Sequence, residues 1–261
     1  MEATLQSNWL LRALDGSARE RFEPKLHRFE LRRGALLHDQ GDCAASVIFP
    51  EYGLIAVLSE TLAGESVQTG MIGCDGAIGA VEALGSGQFL SKGVVQVHGA
   101  GWRVNAGAYR NLLYQCDDFK AALDRYVELQ LIEARQIMAC NALHSVESRL
   151  ARALLETRER SCLDGVLPLT QDALSQMLGA QRTTIAVFIS KLQRLGLLRS
   201  GRGMIEILDT ASLEAIACTC RKTLQFARNE IGALNGDAVW RPQIVSQANG
   251  RRANGGADSP R

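Results

Sequence analysis

Residues 169–208 read LTQDALSQMLGAQRTTIAVFISKLQRLGLLRSGRGMIEIL, and this stretch leaves few folds open. Thr170 is a good N-cap, and Leu174, Met177 and Leu178 fall on one face of the short helix that Gln171 opens. Gly179 then supplies the left-handed conformation that lets a second helix leave steeply, with Ala180 small enough to be buried at the corner. In that second helix Ile185, Phe188, Ile189, Leu192 and Leu195 repeat at helical spacing, so Arg182, Thr183, Ala186 and Val187 point outward near its start. Gly196 closes it, and two short apolar runs flank Arg199-Ser200-Gly201-Arg202-Gly203 as a glycine-bearing hairpin. The pattern predicts a winged helix-turn-helix, a unit whose second helix, here about 181–195, enters the major groove of DNA N-terminal end first.

Charge points the same way. From Ala173 to Ile205 the charged residues are Arg182, Lys191, Arg194, Arg199 and Arg202, with no acidic one, although the whole chain carries only +1. A local excess of that kind suits a phosphate backbone. Each signal alone is matched by ordinary packing of helices; the turn, wing and charge together favour DNA. Arg182 offers a bidentate contact to guanine, worth about 1–3 kcal/mol of discrimination, and Thr183 and Val187 offer weaker polar and thymine-methyl contacts. Thr184, Ser190 and Lys191 are placed for phosphate. With Thr170, Gln181, Ala186 and Arg202 they make up the candidate DNA-binding set.

The remainder of the 261 residues, 46% hydrophobic and 22% charged, has room for a second modest domain. No run of eighteen apolar residues occurs, and MEATLQSNWLLRALDGSARERFEP lacks a basic start followed by an apolar signal core, so a cytoplasmic protein with no membrane partner is expected. Cys43, Cys74, Cys116, Cys140, Cys162, Cys218 and Cys220 are odd in number and scattered, unlike a disulfide framework.

In chain order, residues 5 to 22 predict an amphipathic helical start interrupted at Asp15-Gly16-Ser17. HRFELRRGALLH, SVIFPEYGLIAVLSE, ESVQTGMIG, VVQVHG and GWRVNA then read as short strands, with turn chemistry at Arg33-Gly34, Gln40-Gly41-Asp42, Ala63-Gly64 and Gly99-Ala100-Gly101. Such spacing predicts an antiparallel barrel or sandwich. Between Asp39 and Ser91 there is no lysine or arginine, while Asp39, Asp42, Glu51, Glu60, Glu65, Asp75 and Glu82 are acidic, so a pocket built there is a poor host for an anion. Gly73, Gly76 and Gly79 in the same segment either bring backbone amides close to a ligand or turn a barrel corner, the plainer reading.

From Ala108 to about Arg160 the period is helical, with a break near Cys116-Asp117-Asp118 where either aspartate can cap the next helix. Phe119, Leu123, Tyr126, Val127, Leu131, Ala134, Ile137, Met138 and Leu143 form a wide apolar stripe. We read it as the seam of a parallel homodimer in preference to a helix lying on the barrel. Ala211 to Ile231 predicts one more helix, and the tail, poor in apolar residues, is expected to be disordered. The expected organisation is α+β: a β-barrel sensory domain at 1–116, a dimerisation helix at 117–146, a winged helix-turn-helix domain at 147–234 and a tail at 235–261.

A β-barrel, a long dimer helix and a winged helix in this order resemble the Crp/Fnr family of bacterial transcription regulators, over about residues 5 to 231. GMIGCDGAIGAVEALG, ACNALHSVESRLARALLETRER and LTQDALSQMLGAQRTTIAVFISKLQRLGLL carry the resemblance. It implies a jelly-roll barrel of the cyclic-nucleotide-binding type, a homodimer on a roughly palindromic site in double-stranded DNA, and RNA polymerase as a further partner. The family's recognition helix reads bases from an Arg-Glu-Thr-Val-Gly-Arg type run. Here Arg182 keeps the first arginine, Thr183 stands at the glutamate and Val187 at the second arginine, so the catabolite activator's operator does not carry over.

The sensory half departs further. Cyclic-nucleotide binders of the family clamp ribose and phosphate with a glycine-glutamate pair and an arginine followed by Ser or Thr. The candidate effector pocket here is Gly76, Ala77, Ile78 and Gly79 with Ser91 and Lys92, lacking that arginine and keeping Lys92 as the one residue able to replace it. We therefore expect no tight cAMP or cGMP binding and an effector of unknown identity. The alternative is a cyclic-nucleotide-dependent regulator with an altered pocket. No cofactor or metal is expected. No cysteine precedes Cys43, which disfavours an N-terminal iron–sulfur cluster. His27, His38, His98 and His144 read as ordinary histidines rather than haem ligands. Cys218 and Cys220, two apart, would point to different faces of a helix, and Cys140 reads as a small apolar filler. An enzyme on a cupin-like barrel is disfavoured because His27, His38 and His98 form no H-x-H pair, so no catalytic residue is expected.

Overall fold

The computed structural model describes residues 5–163 and 165–233. The expectation of a disordered tail concerns 235–261 and lies outside them. The N-terminal helical region holds α1 (Trp9–Arg12) and α2 (Gly16–Phe22), separated because the Asp15 carboxylate accepts the Ala18 N–H and starts a new helix. The strands are β1 (His27–Leu31), β2 (Leu36–His38), β3 (Ser46–Glu60), β4 (Ser66–Ile72) and β5 (Lys92–Asn105). They pair antiparallel in the order β1-β5-β3-β4, with β2 also on β5.

Among the described residues this is a rolled sheet that does not close, not the barrel expected. Nor do Gly99 and Gly101 make a turn. β5 runs straight through them, and each is a glycine because a Cβ would collide with the backbone of β3, at Tyr52 and Phe49 respectively. One side of the sheet closes over Leu31, Ile48, Ile55, Ile72, Ile78, Phe89 and Val95. The other receives the helices through Phe22, Phe49, Tyr109 and Phe119, whose rings meet in tilted and edge contacts.

Helices α3 (Ala106–Gln115) and α4 (Asp117–Leu143) follow. Cys116 is the N-cap of α4, and Asp117 and Asp118 lie inside its first turn, where their charge favours the positive end of the helix dipole instead of capping. The apolar stripe of α4 divides in two. Phe119, Leu123 and Tyr126 are buried against the sheet domain, whereas Val127, Leu131 and Met138 stay 40, 50 and 66% exposed.

The chain then forms α5 (Val146–Arg160), β6 (Val166–Leu167), α6 (Gln171–Leu178), α7 (Arg182–Arg194), β7 (Leu198–Gly201), β8 (Met204–Ile207), α8 (Thr210–Ile216) and α9 (Cys220–Ala233). The single helix expected from Ala211 is thus two, the break falling at residues 217–219. Leu150, Leu154, Leu174, Ile185, Ile189, Leu192, Ile205 and Leu213 share one core, which makes this region a unit of its own.

The two units meet at a buried ionic joint. Arg160, last residue of α5, pairs with Asp75 (2.8 Å) and with Glu133 of α4 (3.0 Å), and Arg228 of α9 pairs with the other Glu133 oxygen (2.6 Å). Burial alone would push the Glu133 carboxyl up; the Arg160 and Arg228 guanidiniums outweigh it and hold that carboxyl below its usual range. Gly73 lies so close under the Arg160 carbonyl, and Gly76 under the Tyr126 ring, that neither site has room for a side chain. Cys74 and Cys162 form a disulfide at the same joint. The scattered cysteines gave no expectation of it, because the partners are 88 residues apart and only the docking of α5 brings them together. Replacing Glu133 by Gln removes the carboxylate that both guanidiniums share and is expected to lower the unfolding free energy by about 3–5 kcal/mol in a urea melt; a loss below 1 kcal/mol would contradict the role given to this joint.

Candidate nucleic-acid interface

The helix-turn-helix is built by local chemistry. Thr170 Oγ1 accepts the Ala173 N–H (3.1 Å) and starts α6, and Gly179 ends it at φ +56°. The Ser175 hydroxyl donates to the Ala180 carbonyl and the Ala180 N–H returns to the Ser175 carbonyl, which fixes the corner. Ile185, Ile189 and Leu192 of α7 face the module's core, so its opposite face meets solvent. Gln181, Arg182, Thr183, Val187, Ser190 and Lys191 are exposed there, and Thr184 and Ala186 are half-buried. Val187 is an apolar side chain left 64% exposed.

Two of the cations on α7 are held by carboxylates. Arg182 pairs with Asp172 (3.1 Å) and Lys191 with Glu147 (2.7 Å). Exposed pairs of this kind are worth at most about 1 kcal/mol, so they compete weakly with a phosphate or a base edge. Thr170 is set apart from the rest of the predicted set: its hydroxyl caps α6 and its methyl group lies against the wing at Gly203. The wing turn is Arg202-Gly203, two residues between β7 and β8 with φ +52° and +72°. Both positive angles define the tight turn suited to hairpin twist, where Asn-Gly is the unstrained choice. An arginine in that conformation carries strain, and it puts an exposed cation at the tip.

The module rests on the N-terminal sheet. Met177 of α6 packs near Leu54, Met71, Val97 and Leu163, and the Arg33 guanidinium donates to the Gly203 carbonyl of the wing (3.4 Å).

The predicted effector residues do not gather in one place. Gly76, Ala77, Ile78 and Gly79 are buried in the joint and the sheet, where the Tyr126 hydroxyl receives the Ala77 N–H (3.3 Å). The loop is therefore a packed corner. Lys92 is committed elsewhere, to Glu60 (2.8 Å) and Asp39 (3.7 Å). Ala77 and Ile78 do line a cavity of about 180 Å³ between the sheet and α4, with Thr69, Glu82 and Gln130 as its polar members. Burial pushes the Glu82 carboxyl up. A second cavity of about 410 Å³ lies inside the rolled sheet and includes His38, Asp42, Phe89 and Arg103, which sequence reasoning missed because they come from separate strands and loops.

At the far end of α4 the cysteines disagree with their reading from sequence. Cys218 precedes α9 and only Cys220 lies in it, so the two do not diverge as they would within one helix. Both turn toward Cys140, which burial pushes up to about 12.

Residues 148–216 match the family of Crp-like helix-turn-helix domains. Transcriptional regulator SdrP of Thermus thermophilus is 34% identical over 100 residues, which are 36% of this chain and 50% of SdrP. The chain thus matches only half the length of that relative. FixK2 of Bradyrhizobium japonicum superposes at a TM-score of 0.63 and 17% identity over 74% of this chain and 98% of its own. The c-di-GMP responsive global regulator CLP of Xanthomonas campestris does so at 0.58 and 16%, over 75% and 100%. Among the described residues no helix is long and apolar enough to cross a membrane.

His38, 5% exposed and stacked on Phe89 at 3.5 Å, gives this region a pH response. Burial lowers its pKa to about 4, against a partial opposing pull from Asp42 and Asp39. The unfolded chain binds this proton near 6.5 and the folded one near 4, so the contribution is complete above 6.5 and is lost as pH falls toward 4. The loss should approach about 1.4 kcal/mol per pH unit. Denaturation midpoints between pH 7 and pH 4.5 should fall more steeply for the native protein than for His38→Gln; parallel curves would refute the assignment.

Proposed function

We propose, from the premise that the chain carries a Crp-like helix-turn-helix domain on a Crp/Fnr-type fold, that it is a sequence-specific DNA-binding transcription regulator acting as a homodimer. The observation that carries this reading is the exposed face of α7, which presents Arg182, Thr183 and Val187 at its N-terminal end beside the cationic wing tip. Two copies would place their α7 helices in successive major grooves, about 34 Å apart. Support for the pairing comes from α4. Val127, Leu131, Ala134 and Met138 follow one another at intervals of four, three and four, the repeat of a two-stranded coiled coil, and this side of the helix is exposed in the single chain.

In this reading Arg182 reads a base and Val187 meets a thymine methyl, while Gln181, Thr184, Ser190, Lys191 and Arg202 hold phosphates. A signal in the sensory domain would act by altering how the two modules are set, through α4 and the contacts of α6 and the wing with the sheet.

Arg182→Ala is expected to weaken binding to the preferred site about 10- to 100-fold and to relax preference at one base pair. Arg202→Asn, tolerated by the turn, should instead weaken specific and random duplex alike and lower the slope of log K against log salt by about one. The measurement is a titration of labelled promoter fragments at stated salt. Binding no tighter than to random duplex, or a lone subunit in solution at the concentrations used, would overturn the proposal.

The cavity against α4 is a poor host for a cyclic mononucleotide. Its lining includes the Glu82 carboxylate and no cation, and about 180 Å³ is below the usual range for sites of that kind. Calorimetry with cAMP and cGMP is expected to give no stoichiometric heat, and a saturable heat with either would reverse this conclusion.

A further inference from the structure

Where α4 ends and α9 begins, four side chains with the donor atoms of a metal site converge. They are Cys140 and His144, one helical turn apart at the end of α4, and Cys218 and Cys220, which flank the start of α9. Their three sulfurs and one imidazole nitrogen all lie within 4.8 Å of one another. Cys140 Sγ is 3.4 Å from Cys218 Sγ, and Cys220 Sγ is 3.4 Å from His144 Nδ1.

We propose that these four residues bind one zinc ion per chain, and that the ion clasps the DNA-binding module to the end of the central helix.

The geometry fits a single tetrahedral ion. With zinc–sulfur bonds of 2.3 Å, neighbouring sulfurs at the corners of a tetrahedron stand about 3.8 Å apart, inside the spread found here. An iron–sulfur cluster has to fit two or four irons and bridging sulfides between its ligands, which this closely gathered set does not span. Three thiolates and an imidazole are soft and borderline ligands that favour zinc over magnesium or calcium. With four protein donors, three of them buried, the site is closed as structural zinc sites are and keeps no position for substrate.

The surroundings suit a charged centre better than an apolar filling. The Gln136 amide donates to Cys220 Sγ (3.1 Å), and the Arg152 guanidinium, paired with Glu156 (2.6 Å), puts positive charge near Cys140. Donors aimed at sulfur are what zinc thiolates recruit around themselves. Cysteines packed only as small apolar groups need neither an amide nor a guanidinium.

The position gives the ion its task. Cys140 and His144 lie just before residue 148 and Cys218 and Cys220 just after residue 216, so the ligands bracket the Crp-like domain at both ends. Leu143 and Val146 delimit the joint between α4 and α5, and Cys218 N–H reaches across it to the Ser148 carbonyl (3.3 Å). An ion here fixes that joint. The inference stands on these residues alone and does not depend on DNA recognition.

The test uses the full chain, purified under reducing conditions without chelator. Elemental analysis should find one zinc per chain, and Cys140→Ser or Cys218→Ser should weaken zinc binding at least about 100-fold, whereas Cys43→Ser should leave it unchanged. Gln136→Ala is expected to weaken it about 10-fold. Should a ligand variant fail to fold, cobalt(II) titrated into the metal-free native chain still decides. One equivalent should produce the intense visible bands of tetrahedral cobalt with sulfur-to-metal charge transfer. Chelation of the zinc should raise amide exchange at the start of α9, measured without DNA. Failure to take up zinc or cobalt after reduction, a visible iron–sulfur chromophore with acid-labile sulfide, or exchange unaltered by chelation would each overturn the proposal as stated.

Discussion

The charge cluster made by Asp75, Glu133, Arg160 and Arg228 governs how the halves of this protein sit together. Each member comes from a different segment: the loop after β4, then α4, α5 and α9. Removing these charges from water costs several kcal/mol per ion, and mutual attraction with good hydrogen bonds only offsets that cost. The cluster therefore contributes less to net stability than to uniqueness. Any other seating of α5 on the sheet would leave a buried charge without its counter-ion. Gly73 and Gly76 follow from the same constraint, since a side chain at either would hold the loop away from the Arg160 backbone or the Tyr126 ring.

That joint explains why the glycine loop forms a packed corner. Its backbone groups are spent on the neighbouring helices, with Cys74 N–H on the Arg160 carbonyl and Ala77 on the Tyr126 hydroxyl. The same loop nonetheless supplies Ala77 and Ile78 to the cavity beside Gln130 of α4. A change in the occupancy of that cavity would be felt by α4 and, through Tyr126 and Glu133, by the charge cluster that seats α5. Coupling of this kind needs no long chain of contacts, because the cavity wall and the joint share a loop.

The helix-turn-helix and wing show the opposite economy. Their interior is apolar and ordinary, and the outward face of α7 has no structural work beyond loose ion pairs with Asp172 and Glu147. An exposed valine beside cations on α7, with an exposed arginine at the strained wing turn, suits the proposed DNA contact.

The sequence by itself determined the helix-turn-helix and wing, the antiparallel character of the N-terminal half and the length of the central helix. These rest on short-range signals: the Thr170 cap, the Gly179 turn, the spacing of Ile185, Ile189 and Leu192, and short β-type runs bounded by turn residues. The exposed face of α7 was legible for the same reason, since side chains on one helix share a face by periodicity alone. Only the tertiary structure decided which half of the α4 stripe is buried, that Gly99 and Gly101 accommodate a crossing strand, that Ala211 onward breaks into two helices, and that Cys74 meets Cys162. It also brought Cys140 and His144 to Cys218 and Cys220. Each of these depends on partners dozens of residues away, and no pattern within a single helix or strand records which distant segment will be pressed against it.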